Sequence, residues 1–200
     1  MKRKHNVFTN FLKGKVAFLV TTNFHKFNEA CQVLTEQGVA TAWLKIEAIE
    51  IQEDNLEEIA KATARDAVEK SSLPLLVEDA GLFVEVLKGF PGPYSSYVYR
   101  TLGTKGVLRL MEGIAERNAY FCSVIAFYSP ELAYPKCFHG KVEGKISLKE
   151  RGNQGFGFDP IFKPKGGIGR TFAEMTTTKK NRFSHRAQAL RKFAAWYKST

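Results

Sequence analysis

Four short stretches of this 200-residue chain gather side chains whose types and spacing suit chemistry. The first is TTNFHK, Thr21 to Lys26, which follows an apolar run. If a helix starts at Asn23, its free N–H groups and positive end suit a phosphate. Lys26 in the first turn opposes the macrodipole, and a bound anion would relieve the mismatch. The glycine–lysine pattern of a P-loop is absent. The second is acidic: EIQED, with Glu50, Glu53 and Asp54, and then LVED, with Glu78 and Asp79. Carboxylates at a strand end suit a hard cation such as Mg²⁺ and the activation of water.

The third stretch is GFGFDP, residues 155 to 160. Glycine permits close backbone approach, and Phe156 between two glycines can stack on a flat ring such as a nucleobase. Backbone groups of the loop, with Asp159, can then read the ring's edge. The fourth is KKNRFSHRAQAL, residues 179 to 190, with Lys179, Lys180, Arg182, His185 and Arg186. Ser184 is a good N-cap, which places His185 and Arg186 in a first helical turn. Cations there cost about 0.3–1 kcal/mol each. An anion completing the site would make the placement intelligible, Arg186 forking two phosphate oxygens and Lys180 adding a point charge. Each stretch also has a plain structural reading: a capped helix with a solvated lysine, an acidic strand end in water, a turn around a buried Phe, a solvated basic surface. Together they would accommodate a triphosphate, a Mg²⁺ ion and a base.

The elements that must position these groups alternate. Val16–Val20 is a continuous apolar run, the mark of a strand buried on both faces. Phe27, Ala30, Cys31 and Leu34 repeat at helical spacing, with Gly38 as a stop. A second strand is predicted within ATAWLKIEAI. A second helix carries Leu56, Ile59, Ala60, Thr63 and Ala67 on one face. LPLLVED and GLFVEVL read as two β-runs separated by Ala80-Gly81, and LKGFPGPYSSY as turns. A helix over residues 104–113, a long strand AYFCSVIAFY, and broken β-structure in CFHGKVEGKIS follow. The last helix runs from about Ser184 to Tyr197. Interleaved helices and strands predict one α/β unit around a mixed sheet flanked by helices, and a two-lobed single domain fits equally well.

Composition narrows the partners. The net charge of +10 favours polyanions, whether nucleic acid, nucleotide or anionic membrane. Three cysteines without CxxC spacing and four histidines without a close pair argue against disulfides and zinc, and for a reducing, cytoplasmic setting. No apolar run approaches the roughly 20 residues that cross a bilayer. Residues 1–14 read as a basic N-terminal extension and 15–200 as the folded domain. A polyanion- or RNA-binding protein without hydrolase activity is the alternative to an enzyme, although no RNP-like aromatic pattern marks the strands.

TTNFHK, LVEDAGLFVEVLKGFPGPY, GFGFDPIF, TFAEM and KKNRFSHRAQAL, in this order across residues 16–195, resemble the inosine triphosphate pyrophosphatase family. The resemblance implies an elongated two-lobed α/β fold with a central mixed sheet, usually a homodimer. It also implies Mg²⁺-dependent hydrolysis of ITP, dITP and XTP to the monophosphate and pyrophosphate, which cleanses the nucleotide pool. Carried onto this chain, Thr21, Thr22, Asn23 and Lys26 form the first phosphate loop, and Lys61 contacts phosphate from the next helix. Glu50, with Glu53 as a nearby alternative, and Asp79 bind metal, and Asp79 also activates water. Phe156, Gly157, Phe158 and Asp159 form the base pocket. Lys180, His185 and Arg186 act as cationic donors to the 6-oxo edge, which moves His185 and Arg186 from phosphate to base. Ala80 stands where many relatives place Ser or Thr, so a hydroxyl contact to phosphate is missing there. Beyond the triphosphate and a second copy, the resemblance calls for neither nucleic acid nor membrane.

Overall fold

The computed structural model describes residues 16–200, so the expected basic extension lies outside the described residues. Strand β1 is Val16–Val20, helix α1 Phe24–Glu36, strand β2 Ala40–Leu44 and helix α2 Leu56–Ser71. Strand β3 follows at Leu75–Val84, the short β4 at Pro91–Gly92, and helices α3 and α4 at Ser95–Thr101 and Gly103–Leu110. Strands β5 (Asn118–Tyr128), β6 (Lys136–Ile146) and β7 (Phe162–Pro164) are succeeded by helices α5 (Thr177–Asn181) and α6 (His185–Ser199). The seven strands form one mixed sheet in the order β2-β1-β3-β5-β6-β7, with β4 paired to β3. β1 runs parallel to β2 and β3, and every other pairing is antiparallel.

Two expectations change. The predicted β-runs on either side of Ala80-Gly81 are one strand, because Glu78 through Val84 pair without a break against Ile125 through Ala119. Gly81 does not interrupt it; a Cβ there would lie 2.3 Å from the Gly92 carbonyl oxygen, so glycine admits β4. β6 is likewise continuous through Gly140 and Gly144.

Side-chain alternation assigns each residue of β3 to a face. Leu76 belongs to a core cluster with Leu19, Val33, Leu34, Leu190 and Phe193, formed under α1 and α6. Leu75 and Val77 join Leu56, Ala60, Ala64 and Ala67 under α2, on the opposite face. Glu78 therefore continues the α1–α6 face and Asp79 the α2 face. A third cluster, with Leu82, Val84, Phe121, Ile161, Phe162 and Phe172, packs the far end of the sheet and is the core of the second lobe.

The chain leaves β1 toward β2 on one side, while β3 lies on its other side. The crevice beyond the carboxyl ends of β1 and β3 is thus a topological switch point, where α/β sheets commonly bind ligands. The last β1–β3 pair is Val20 with Val77, so Thr21 and Glu78 emerge side by side at that crevice.

Candidate active site

The loop after β1 spends most of its side chains on its own geometry. Asn23 is the N-cap of α1: its Oδ1 accepts from the backbone N–H of His25 at 2.9 Å and of Lys26 at 3.2 Å. Thr21 Oγ1 accepts from Asn23 N at 3.1 Å. Thr22 stays exposed. Lys26 reaches across to β3, its Nζ 3.0 Å from Glu78 Oε2 and 3.3 Å from the Glu78 carbonyl oxygen. The phosphate loop and the acidic strand end therefore share one place.

Glu78 begins a chain of ion pairs that runs through the α1–α6 face. Its Oε1 accepts from Ser123 Oγ at 2.7 Å and lies 3.1 Å from an Arg186 terminal nitrogen. The other terminal nitrogen of Arg186 pairs with Glu29 on α1. The second Glu29 oxygen lies 2.7 Å from Lys180 Nζ, and Lys180 lies 2.6 Å from Asp159 Oδ2. Asp159 Oδ2 also accepts from Phe156 N at 3.0 Å. Gly155 makes this last contact possible, since a Cβ there would fall 2.1 Å from Asp159 Oδ2. One unbroken chain thus joins Lys26 at the crevice to the backbone of the glycine loop. The side chains of Glu78, Glu29, Asp159, Lys180 and Arg186 are all no more than 5% exposed.

Burial and pairing set the charges in opposite ways. Burial raises the Glu78 and Glu29 carboxyls, but the adjacent cations outweigh it and hold both below the usual carboxylate range. Burial lowers the Arg186 guanidinium, and Glu78 and Glu29 more than restore it. At Asp159 burial wins over Lys180, and with Glu29 close by its carboxyl is raised. Arg186 and Lys180 face three carboxyl groups, so the buried part of the network has no surplus positive charge with which to draw in an anion, and Lys26 at the crevice end is the partly exposed cation. The cations gathered at the start of α6 are answered by the protein's own carboxyls, two of them, Glu29 and Glu78, on elements remote in sequence. That arrangement suits a neutral polar edge better than a phosphate.

His185 differs from expectation. It is 3% exposed and its ring stacks on Phe121, centroids 4.7 Å apart and planes 9° off parallel. Burial first, then Arg186 and Lys180, hold its pKa well below the ordinary histidine value. It is a neutral imidazole at neutral pH, not a cationic donor. His185 Nδ1 and Arg186 Nε are buried with no hydrogen-bond partner. The Ser184 cap is present, its Oγ accepting from Ala187 N at 3.3 Å. Ser184→Ala is expected to cost about 1 kcal/mol in a denaturant titration.

Phe156 lies at the open end of the network. His25 stacks on it at 5.3 Å and 15°, with Lys180 Nζ 5.0 Å and Arg186 Cζ 5.4 Å from the ring centroid. Phe158, placed in the base pocket by the resemblance, is instead a core residue, 3% exposed and edge-on to Tyr99 at 5.5 Å. Only its backbone and that of Gly157 remain to face a ligand. Lys61 is held on its own helix by Glu57 at 2.5 Å and Glu58 at 3.0 Å. None of its described partners belongs to the crevice.

On the other face of β3, Asp79 Oδ2 is buried with no hydrogen-bond partner. Burial pushes the Asp79 carboxyl up to about 6; Lys26 opposes this, while Glu78 and Glu50 add to it. Glu50 is therefore an acidic neighbour of Asp79 alongside Glu78. Glu53 is turned to Asp54 N at 2.8 Å. Among the described residues no three acidic, His or Cys side chains cluster as a ready-made metal cage. An orphaned carboxylate oxygen beside a second carboxylate still fits Mg²⁺, which commonly takes one or two protein carboxylates and completes its shell with water and phosphate. Ala80 offers no hydroxyl, but Ser123 sits opposite it in the sheet and presents one to Glu78.

This arrangement can be set beside known proteins. The model of the Ham1 family matches residues 17–196. The chain belongs to the Ham1 family. It is 50% identical to a dITP/XTP pyrophosphatase of Thermococcus kodakarensis over 92% of this chain and 97% of that one. It is 48% identical to a dITP/XTP pyrophosphatase of Pyrococcus horikoshii over 90% and 96%. A solved Ham1 protein from Coxiella burnetii superposes with a TM-score of 0.81 at 30% identity, covering 93% of this chain and all of that one. The Ham1 fold is thus the mixed seven-stranded α/β sheet described above. No described helix is long and apolar enough to cross a membrane.

Proposed function

We propose that this protein hydrolyses noncanonical purine nucleoside triphosphates, namely dITP, XTP and ITP, to the monophosphate and pyrophosphate. The observation that carries the reading is the convergence at the β1–β3 switch point. A helix N-terminus with Lys26, an orphaned Asp79 carboxylate and the ion-pair chain ending on the Phe156 loop all meet there. The names of the relatives support it.

The residues divide the work. The positive end of α1, Thr22 and Lys26 take the phosphates, and Lys61 joins them if it leaves Glu57 and Glu58. Glu50 and Asp79 would hold Mg²⁺, which would polarise the phosphate under attack and acidify water. Asp79 accepts the proton of the attacking water, which bonds to the α-phosphorus as pyrophosphate leaves. Phe156 stacks the base once His25 yields its place. Arg186, Lys180 and His185 offer donors to the carbonyl at position 6, where adenine carries an amino group and would leave them unpaired. A homodimer belongs to the same proposal, supported by the apolar side chains that α3 and its flanks expose, Phe90, Tyr94, Tyr97 and Leu102.

The test is a turnover panel with ITP, XTP, dUTP, GTP and ATP in Mg²⁺, with products identified. ITP and XTP are expected to give monophosphate and pyrophosphate with kcat/KM at least about 10²-fold above ATP. Release of single phosphates, or equal rates for ATP, would reject the assignment.

A further inference from the structure

We propose that Trp43 is a positioning residue for the phosphate end of the site: its indole N–H fixes the peptide between Thr21 and Thr22, so that the Thr22 N–H is held toward the crevice as a backbone donor for a pyrophosphate group. The inference rests on the nucleotide reading above and adds to it a residue outside the four stretches singled out for chemistry.

The geometry is specific. β2 is the last strand of the sheet and pairs with β1. Trp43 lies opposite Leu19 and so stands on the α1–α6 face. Its Nε1 donates to the Thr21 carbonyl oxygen at 2.6 Å. Phe27 stacks on its ring, with centroids 4.8 Å apart and planes 14° off parallel, and Phe24 meets it at 5.9 Å. One side chain therefore grips the segment from Thr21 to Phe27 at three points: the loop, the first residue of α1 and a residue in the first turn of that helix.

The consequence lies in the backbone. A trans peptide is planar, with its C=O and N–H pointing opposite ways. Thr21 N donates to the Leu44 carbonyl oxygen at 3.4 Å and Thr21 O accepts from Trp43, so both backbone groups of Thr21 are turned toward β2. The N–H of Thr22 is thereby turned from β2 toward β3, where Lys26 meets Glu78. Among the described residues it has no acceptor. The N–H groups of Asn23, His25 and Lys26, by contrast, are already taken by Thr21 Oγ1 and Asn23 Oδ1. A donor fixed before the ligand arrives costs little to order when it binds. Without the indole the peptide is free to turn, and binding must order it.

The experiment titrates pyrophosphate, and separately inosine, into wild type, Trp43→Phe and Trp43→Gln by calorimetry in Mg²⁺, with kcat/KM for ITP and the thermal midpoint measured alongside. Phe keeps a stacking ring and removes the donor. Gln removes the ring and keeps an N–H donor at similar reach. Trp43→Phe is expected to bind pyrophosphate about 10-fold more weakly and inosine as wild type does, with kcat/KM for ITP lowered about 10-fold. Trp43→Gln is expected to have the lower midpoint and yet the tighter hold on pyrophosphate of the two variants. A purely packing role predicts the reverse order, with affinity following the midpoint, or equal losses for pyrophosphate and inosine. Either of these, pyrophosphate binding absent from wild type, or wild-type pyrophosphate affinity in Trp43→Phe overturns the proposal. If Trp43→Gln does not fold, the contrast between pyrophosphate and inosine in Trp43→Phe decides alone. Failure of the nucleotide reading itself shows separately, as a wild-type protein that binds pyrophosphate but does not turn over ITP.

Discussion

Asp79→Asn is expected to lose about 10³-fold in kcat toward ITP, within the 10²–10⁴-fold that a positioned general base contributes, and yet to be the more stable protein at alkaline pH. Both effects come from one oxygen. Asp79 Oδ2 is buried without a partner, and burial, reinforced by Glu78 and Glu50 against the pull of Lys26, raises the carboxyl to about 6. A carboxyl with a higher pKa folded than unfolded binds its proton more tightly in the folded state. Its contribution to stability is complete below the unfolded value near 3.8 and is lost as pH rises through about 6. At pH 8 in EDTA the wild-type protein thus carries a penalty of up to about 3 kcal/mol, at about 1.4 kcal/mol per pH unit, that an uncharged Asn does not. Below pH 4 the difference vanishes. Mg²⁺ should close the gap at pH 8 by stabilising wild type alone. Denaturant titrations at pH 4 and pH 8, with EDTA and with Mg²⁺, read all three. Wild-type turnover by the variant, or a stability difference that ignores pH, would remove Asp79 from the role given to it.

The parts of the fold that depend on local chemistry were legible in the sequence. β1 showed itself as an uninterrupted apolar run, and the caps of α1 and α6 were readable because Asn23 and Ser184 act on N–H groups two or three residues away. What depends on remote partners was not. Glu29 stands on the helical face that carries Ala30, Val33 and Leu34, where a carboxylate needs a partner, but its partners lie 151 and 157 residues on. No periodicity connects them. The same blindness led the cations near α6 to be matched with a ligand anion, when Glu29, Glu78 and Asp159 already stood there. His185 looked like a cation because its environment was unknown; burial among real cations makes it neutral. Ala80-Gly81 looked like a break because a glycine inside a strand weakens it, and only β4, at the far side of a turn, explains why the residue is small. The short helices α3 and α5 went unseen because neither is long enough to show a repeat.

Gly140→Ala should be the most damaging single-methyl change in the part of the molecule proposed to hold the base. Gly140 is in the middle of β6, paired with Ser123, and faces α6 between Phe138 and Val142. A Cβ there would lie 1.9 Å from the His185 carbonyl oxygen and 2.8 Å from Ala189 N. These are backbone atoms of the first turns of α6, so no side-chain rotation can make room. Either β6 or the helix must move. The helix carries His185, stacked on Phe121, and Arg186, paired with Glu29 and Glu78, and a shift loosens all three contacts. Overpacking alone costs about 1–3 kcal/mol, and loss of a buried ion pair adds about 3–5 kcal/mol if a charge is stranded. A loss of at least about 3 kcal/mol in a denaturant titration is therefore expected, with the ITP-to-ATP selectivity of any folded fraction reduced as well. Gly38→Ala is the matched control. Gly38 has positive φ, at 74°, but nothing within 4 Å of the added methyl, so only backbone strain of about 1 kcal/mol applies and selectivity is unaffected. Equal midpoints for the two variants would mean that α6 does not rest on β6 as closely as the geometry requires, and the positions assigned to Arg186 and His185 would fall with it.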